Sequence, residues 1–238
     1  SGPNNPGTMA NVPGGVGTIA WASVARAKAS ENLYATAALT LNTASNYLVA
    51  SNFGFAIPTG ATINGIVATI ERSFVTSNCR DNRVRIIKAD GSIGATDRAD
   101  SSLWTTTDTV ITYGSSTDLW GETWTAADIN DVDFGFGLSV TNTDPANQDA
   151  STARVDHMTL TVYYTTDSCT CPATNTNWAI NMSHSCNITT TCNIGTGNIT
   201  FTGTGTTLFN ATISSKNMEN PKTSQTLKIG SKARVNIG

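Results

Sequence analysis

Charge is what this sequence has least of. Asp, Glu, Lys and Arg make up 13% of its 238 residues, about half the usual share. Surface helices lean on paired Glu and Lys, so the shortage, together with abundant Gly, Thr, Ser and Asn, favours extended chain. No Lys/Arg cluster and no arginine-aromatic run occurs, and the net charge is -3, which argues against a nucleic-acid partner. No stretch approaches the ~20 consecutive apolar residues of a spanning helix, so no membrane span is expected. Histidine is nearly absent. His157 and His184 stand outside any metal or nucleophile motif, so no catalysis and no cofactor are expected, and both fit satisfied structural roles. Asp128-Ile-Asn-Asp-Val-Asp133 offers oxygen ligands for Ca²⁺ but lacks EF-hand spacing and its Gly, which leaves an ordinary polar loop. Ser1 stands first without a Met, as in a processed secretory product, so the missing signal peptide says nothing by itself.

Against these absences stand two concentrations. Four N-glycosylation sequons, Asn181-Met-Ser183, Asn187-Ile-Thr189, Asn198-Ile-Thr200 and Asn210-Ala-Thr212, crowd the last third of the chain. Interleaved with them are four of the five cysteines: Cys169, Cys171, Cys186 and Cys192. Sugar acceptors need exposure outside the cytoplasm and clustered cysteines suit an oxidising compartment, so both point to an extracellular, cell-surface protein carrying N-linked glycans.

Composition and charge both shift near Cys169-Thr-Cys171-Pro172. Residues 1–166 hold nine Lys/Arg and fifteen Asp/Glu, whereas residues 167–238 hold five and two, so one part is acidic and the other basic. In the second part 25 of 72 residues are Thr or Asn. Three segments are therefore expected: an N-terminal extended arm at 1–18, a sandwich domain at 19–166 and a small domain at 167–238. The arm is too rich in Gly and Pro for a regular element before Val16. Two domains with different surfaces explain the charge division, and complementary fields can also orient association between copies.

Strand-like runs follow at 16–21, 34–41, 47–56, 63–74, 84–88, 92–95, 134–141 and 154–165. Ile66, Ala68 and Ile70 alternate with Val67, Thr69 and Glu71, and Met158, Leu160, Val162 and Tyr164 share one face. Asp90-Gly91 suits a hairpin turn because Gly accepts positive φ at no steric cost. Helix signals are few: a capping-box pattern at Thr125–Asp128 and a possible turn within 22–31. Many short strands without βα alternation predict an all-β chain, an antiparallel sandwich or jelly roll, with a 39% hydrophobic composition sufficient for its core.

The series Gly2-Pro-Asn-Asn-Pro-Gly-Thr8, Gly17-Thr-Ile-Ala-Trp21, Asn46-Tyr-Leu-Val-Ala-Ser-Asn-Phe-Gly-Phe55, Ile57-Pro-Thr-Gly-Ala-Thr-Ile-Asn-Gly-Ile66, Asp118-Leu-Trp-Gly121 and Val155-Asp-His-Met-Thr-Leu-Thr-Val-Tyr-Tyr-Thr165 resembles a sandwich module of prokaryotic secreted and surface proteins, also met in some phage structural proteins. The resemblance implies a structural or adhesive role and no particular activity.

Residues 167–238 have another rhythm. Cys186-Asn-Ile-Thr, Cys192-Asn-Ile-Gly, Gly197-Asn-Ile-Thr-Phe-Thr-Gly203 and Thr207-Leu-Phe-Asn-Ala-Thr-Ile213 are short alternating segments punctuated by Gly or Asn, which resembles the coils of a β-solenoid. So few coils need staples. A C-x-C pair bridges internally with poor geometry, so Cys169 and Cys171 are expected to cross to Cys186 and Cys192 in one of two pairings. A zinc site with His184 is the competing arrangement, at a spacing unlike a zinc ribbon. Cys79 is expected as a buried free thiol, with intermolecular pairing the alternative.

Leu227, Ile229, Val235 and Ile237 form a candidate assembly strand, since an uncovered edge invites addition by another copy. The leading expectation is therefore a structural subunit of an extracellular filament or surface layer, a homopolymer joined head-to-tail through strand edges. A surface adhesin or carbohydrate-binding module is the alternative, with Trp120 and Trp124 stacking on sugar rings; for both, and for Trp104 close by in sequence, core packing is the commoner fate.

Overall fold

The computed structural model describes residues 1–58, 61–76, 78–143, 149–166 and 169–238, and it divides into two compact units, Ser1–Thr165 and Thr166–Gly238. The boundary expected between residues 166 and 167 touches residues 167 and 168, which lie outside the described residues.

The first unit is an antiparallel sandwich. Its elements in chain order are β1 (Thr8–Val12), β2 (Ala35–Leu39), β3 (Thr43–Ala44), β4 (Tyr47–Ser51), β5 (Thr62–Val75), β6 (Arg80–Ile87), β7 (Thr109–Gly114), helix α1 (Ala126–Asn130), β8 (Gly135–Asn142) and β9 (Ser151–Thr165). One sheet runs β2-β9-β5-β7; the other runs β1-β4-β8-β3, with β6 also paired to β8. The long pair β5 and β9 shows why these residues became strands. Ile66, Ala68 and Ile70 stand opposite Val162, Leu160 and Met158, and all six are fully buried. At 25 cal/mol per Å² of apolar surface, each large member contributes roughly 2 kcal/mol on leaving water.

Three irregularities keep that inward face apolar and place polar groups. Between Glu71 and Arg72 the register slips, and Asp156 is the extra residue. The slip moves the inward set of β9 from even to odd numbers, so Val155 and Ala153 are buried as well. Asp156 itself is buried and accepts from the backbone N–H groups of Glu31, Asn32 and Leu33. A second slip, between Ile63 and Gly65, sits where a Cβ on Gly65 would meet the Ser116 carbonyl carbon at 2.3 Å. The third, in β6 at Asn82, turns Asp81 into the interior alongside Val84 and Ile86.

The N-terminal residues differ from the expected arm. Thr8–Val12 is an edge strand on β4, and Asn4 forms a bridge to Leu160 beyond the end of β2, so residues 1–12 run from one sheet to the other. Its burial pattern, with Met9 alone buried, has no period to detect in sequence. Runs 16–21 and 92–95 supply only single bridges, Ile19 to Ser45 and Ile93 to Ile87. Asn52 and Gly54, both at positive φ, stop β4 at Ser51. The hairpin turn stands at Gly91 with φ of 76°. Thr125 caps α1 in a full capping box with Asp128, and residues 24–27 form a 3-10 turn.

The second unit is a small β-solenoid-like stack. Its strands are β10 (Trp178–Asn181), β11 (Asn187–Ile188), β12 (Cys192–Asn193), β13 (Asn198–Thr202), β14 (Gly205–Phe209), β15 (Thr212–Ser215), β16 (Asn217–Met218), β17 (Gln225–Ile229) and β18 (Arg234–Ile237). They make three parallel sheets, β10-β13-β16, β11-β14-β17 and β12-β15-β18, each taking one strand per coil. Side chains stack accordingly: Trp178 under Ile199 under Met218, Ile188 under Phe209 under Ile229, Cys192 under Ile213 under Val235. Cys169 is bonded to Cys186 and Cys171 to Cys192, so all four cysteines are consumed and none remains for zinc.

Candidate functional site

The three neighbouring tryptophans have separate fates. Trp120 is fully buried and its indole N–H donates to the Ile66 carbonyl; Trp104 is buried and donates to Asp81. Neither can stack on a ligand, which corrects the expectation for Trp120. Trp124 is different. It is half-buried, its N–H donates to the Leu119 carbonyl, and its ring meets Phe134 edge-on at 5.3 Å and 71°. It lines an open groove of about 450 Å³ with Ile63, Leu119, Thr62, Thr123 and Thr125. An aromatic ring already anchored at both its N–H and its edge loses little freedom on binding.

A tight turn holds that groove. Arg98 donates to both Asp118 carboxylate oxygens, at 2.7 and 2.8 Å, and Asp118 accepts from the Trp120 backbone N–H. The turn places Trp120 at a φ of 57° and presents Leu119 O to Trp124. The Arg98 hydrogen bonds hold the Asp118 carboxyl below its ordinary 3.8. A carboxyl lowered in the fold stabilises it above the unfolded value and loses that contribution as pH falls through the folded one. Thermal melts from pH 5 to pH 2 should therefore show the gap between the native chain and Asp118→Asn closing below about pH 4. A gap independent of pH would remove the Asp118 carboxylate from the account of this turn.

At the other end of the sandwich lies a buried polar clamp. Arg72 on β5 and Asp81 on β6 form an ion pair between the two sheets, with side chains 3% and 0% exposed. Asp81 also accepts from the Trp104 indole, the Tyr113 hydroxyl and the Asp100 backbone N–H, and the Arg72 guanidinium lies 4.6 Å from the Trp104 ring centroid. Burial pushes the Asp81 carboxyl up against the pull of Arg72. The adjoining cavity holds only about 60 Å³, room for water rather than an organic ligand. Cys79 is buried nearby, and burial pushes its thiol up to about 12, far from a reactive thiolate.

The remaining candidates are placed as follows. His157 Nε2 lies 2.9 Å from Asn5 Oδ1, and His184 Nε2 lies 3.2 Å from Asn181 Nδ2. In the Asp128 to Asp133 loop, Asp128 serves the capping box, Asn130 bonds both backbone groups of Ile57, and Asp131 accepts from Asp133 N–H. No group of three metal-ligating acids, histidines or cysteines occurs among the described residues. Asn187 and Asn210 are exposed and Asn181 and Asn198 half-buried. Asn210 Nδ2 donates to Asn187 Oδ1, and Asn217 Nδ2 to Asn198 Oδ1, so the sequon amides also form rungs between coils.

The last coil is the least buried part of the second unit. Phe209 and Ile213 in the coil beneath are fully buried, but Ile229 and Ile237 are 53% and 52% exposed, and Leu227 and Val235 are half-buried. Among the described residues, strands β17 and β18 each pair on one side only. These are the four residues of the candidate assembly strand. The sequence pointed to Trp124 but not to β7 or to the groups that anchor Trp124, because Leu119 O and Phe134 come to it only through the turn at Asp118.

No helix among the described residues is long and apolar enough to cross a membrane. No family model and no curated protein matches the chain. Among solved structures, similarity extends to a CBM4 structure, 14% identical with a TM-score of 0.35 over 56% of this chain and 87% of that one. It extends also to the N-terminal cellulose-binding domain of Cellulomonas fimi β-1,4-glucanase C, 13% identical with a TM-score of 0.31 over 64% and 86%. At these values the likeness decides nothing about what this chain does.

Proposed function

We propose that the protein acts outside the cell as a non-catalytic surface module whose sandwich binds carbohydrate in the Trp124 groove. The observation that carries this is a pre-anchored, half-exposed indole in an open groove lined also by Thr62 and Thr123, the Thr125 hydroxyl being held in the capping box. Sugar rings offer apolar faces for stacking and hydroxyls for such a lining. Two disulfides in the second unit suit an oxidising compartment, and glycans on Asn181, Asn187, Asn198 and Asn210 fit the same location.

Affinity electrophoresis against a panel of soluble polysaccharides, followed by calorimetry on any that retard the chain, tests the proposal. Trp124→Ala should weaken binding about thirtyfold, the ~2 kcal/mol of an aromatic anchor, with the sandwich still folded. Trp120→Ala serves as the contrast, since a ring in the core reports on stability instead. Unchanged binding by Trp124→Ala, or no retardation by any polysaccharide, would sink the idea.

A second reading is self-association. Its support is the last coil, where Leu227, Ile229, Val235 and Ile237 lie beside unpaired strand edges. Such an edge accepts a further strand from another copy, and a repeated heterologous contact builds a filament. Light scattering across a concentration series tests it; a monomer at every concentration removes it.

A further inference from the structure

We infer that the strand received by the last coil is β7 of a second copy, so that β17 of one molecule pairs with β7 of the next. The inference rests on the self-association reading and names its missing half. An incoming coil stacked beneath β10 is the obvious alternative, but the segment carrying Cys169 and Cys171 is bonded to Cys186 and Cys192 in the first coil, next to that edge.

The sandwich offers few open edges. The outer side of β6 is bonded to residues 92–98 through Gly94 and Arg98 N–H groups, and β2 is bridged by Ala22. Beyond β2, the flank of β9 is covered by Lys28 and Asn4. Strand β1 packs against the 3-10 turn that carries Arg26. Strand β7 ends its sheet with no backbone partner beyond β5 among the described residues, and its Val110 is 58% exposed. It carries no Lys or Pro, the residues that usually blunt an edge.

Charge selects the same pair. All five basic residues of the second unit, Lys216, Lys222, Lys228, Lys232 and Arg234, fall in the last coil beside a single acid, Glu219. None of the five makes an ion pair among the described residues; those ion pairs all lie within the sandwich. Strand β7 lies within residues 99–153, which hold nine acidic residues and no basic one. Two basic coils repel each other and β1 sits beside Arg26 and Lys28, whereas Asp108 directly precedes β7 and Glu71 stands opposite Val110, so this edge is the one a lysine-rich coil approaches. Pairing would cover Ile229 and Val110 together. One strand pair buries less than a stable dimer needs, so the contact is weak and salt-sensitive, and it gains strength by repetition.

Sedimentation velocity on the full chain tests this with Ile229→Lys and Val110→Lys, both at exposed positions, with circular dichroism confirming the fold. The native chain should show species growing with concentration and shrinking in 1 M salt, and each variant alone should stay monomeric. An equimolar mixture of the two should give a 1:1 dimer and nothing larger, because each variant keeps one intact edge. If Ile229→Lys is monomeric while Val110→Lys assembles like the native chain, or the mixture stays monomeric, β7 is not the acceptor and self-association survives. If the native chain is monomeric throughout, or both variants assemble normally, self-association and this inference fall together.

Discussion

Replacing Cys169, Cys171, Cys186 and Cys192 by Ala is expected to melt residues 169–238 and leave the sandwich folded. The bonds join residues 17 and 21 apart in sequence. Closing a loop of that size restrains the unfolded chain by about 3 kcal/mol, and the pair together by about 5, since the loops overlap. A 73-residue unit has only about 4–11 kcal/mol in all, and the last coil of this one is half exposed. Loss of both bonds therefore brings it to the edge of unfolding, and reduction should do the same. Hydrogen exchange read by mass spectrometry separates the units, and protection should collapse in 169–238 and persist at Ile66, Leu138 and Leu160. Thiol titration gives an independent count. In the intact fold no thiol should react, and reduced, unfolded chain should show five, because Cys79 is free but buried. Retained protection in the reduced coils would mean that stacking alone holds them.

The other large effect belongs to Arg72. Arg72→Met should cost the sandwich about 3–5 kcal/mol, because it leaves Asp81 buried without its counter-charge. Asp81 keeps three neutral donors, from Trp104, Tyr113 and Asp100, but none cancels a full charge. Its burial already favours the protonated form, so in the variant the folded carboxyl rises well above the unfolded 3.8. A raised carboxyl binds its proton in the fold first, and stability is lost as pH rises through the folded value. The deficit of Arg72→Met should accordingly shrink as pH falls from 7 toward 4, a window that lies above the one in which the Asp118→Asn gap closes. Urea denaturation at several pH values distinguishes them. A pH-independent deficit would assign the loss to the contact of the Arg72 guanidinium with the Trp104 ring.

The two units also differ in how they fail. In the sandwich the core is continuous between sheets, so removal of the clamp lowers one cooperative transition. In the coils each turn leans on its neighbour, so damage at the disulfides should open the first coil before the later ones.

Much of this was determined by the order of residues alone. Alternation at Ile66, Ala68 and Ile70 and at Met158, Leu160 and Val162 specified two long strands with a buried face, since side chains in extended chain point to opposite sides in turn. The Thr125 capping box, the Asp90-Gly91 turn and the change of composition at Cys169 are equally local. The pairing of Cys169 with Cys186 was not local, because both crossings satisfy the spacing and the coil register chooses between them. Strand β7 escaped because Thr109-Val-Ile-Thr-Tyr-Gly114 lies in a Ser/Thr/Asp-rich stretch and is a strand only by pairing with β5. Arg72 and Asp81, nine residues apart, meet because a bulge at Asn82 turns Asp81 inward across from another sheet. Trp120 and Trp124 look alike in sequence, yet one donates to Ile66 in the core and the other lines a groove. Periodicity and turn chemistry act over a few residues and can be read along the chain, whereas burial, charge pairing and an open edge depend on what the fold brings from afar.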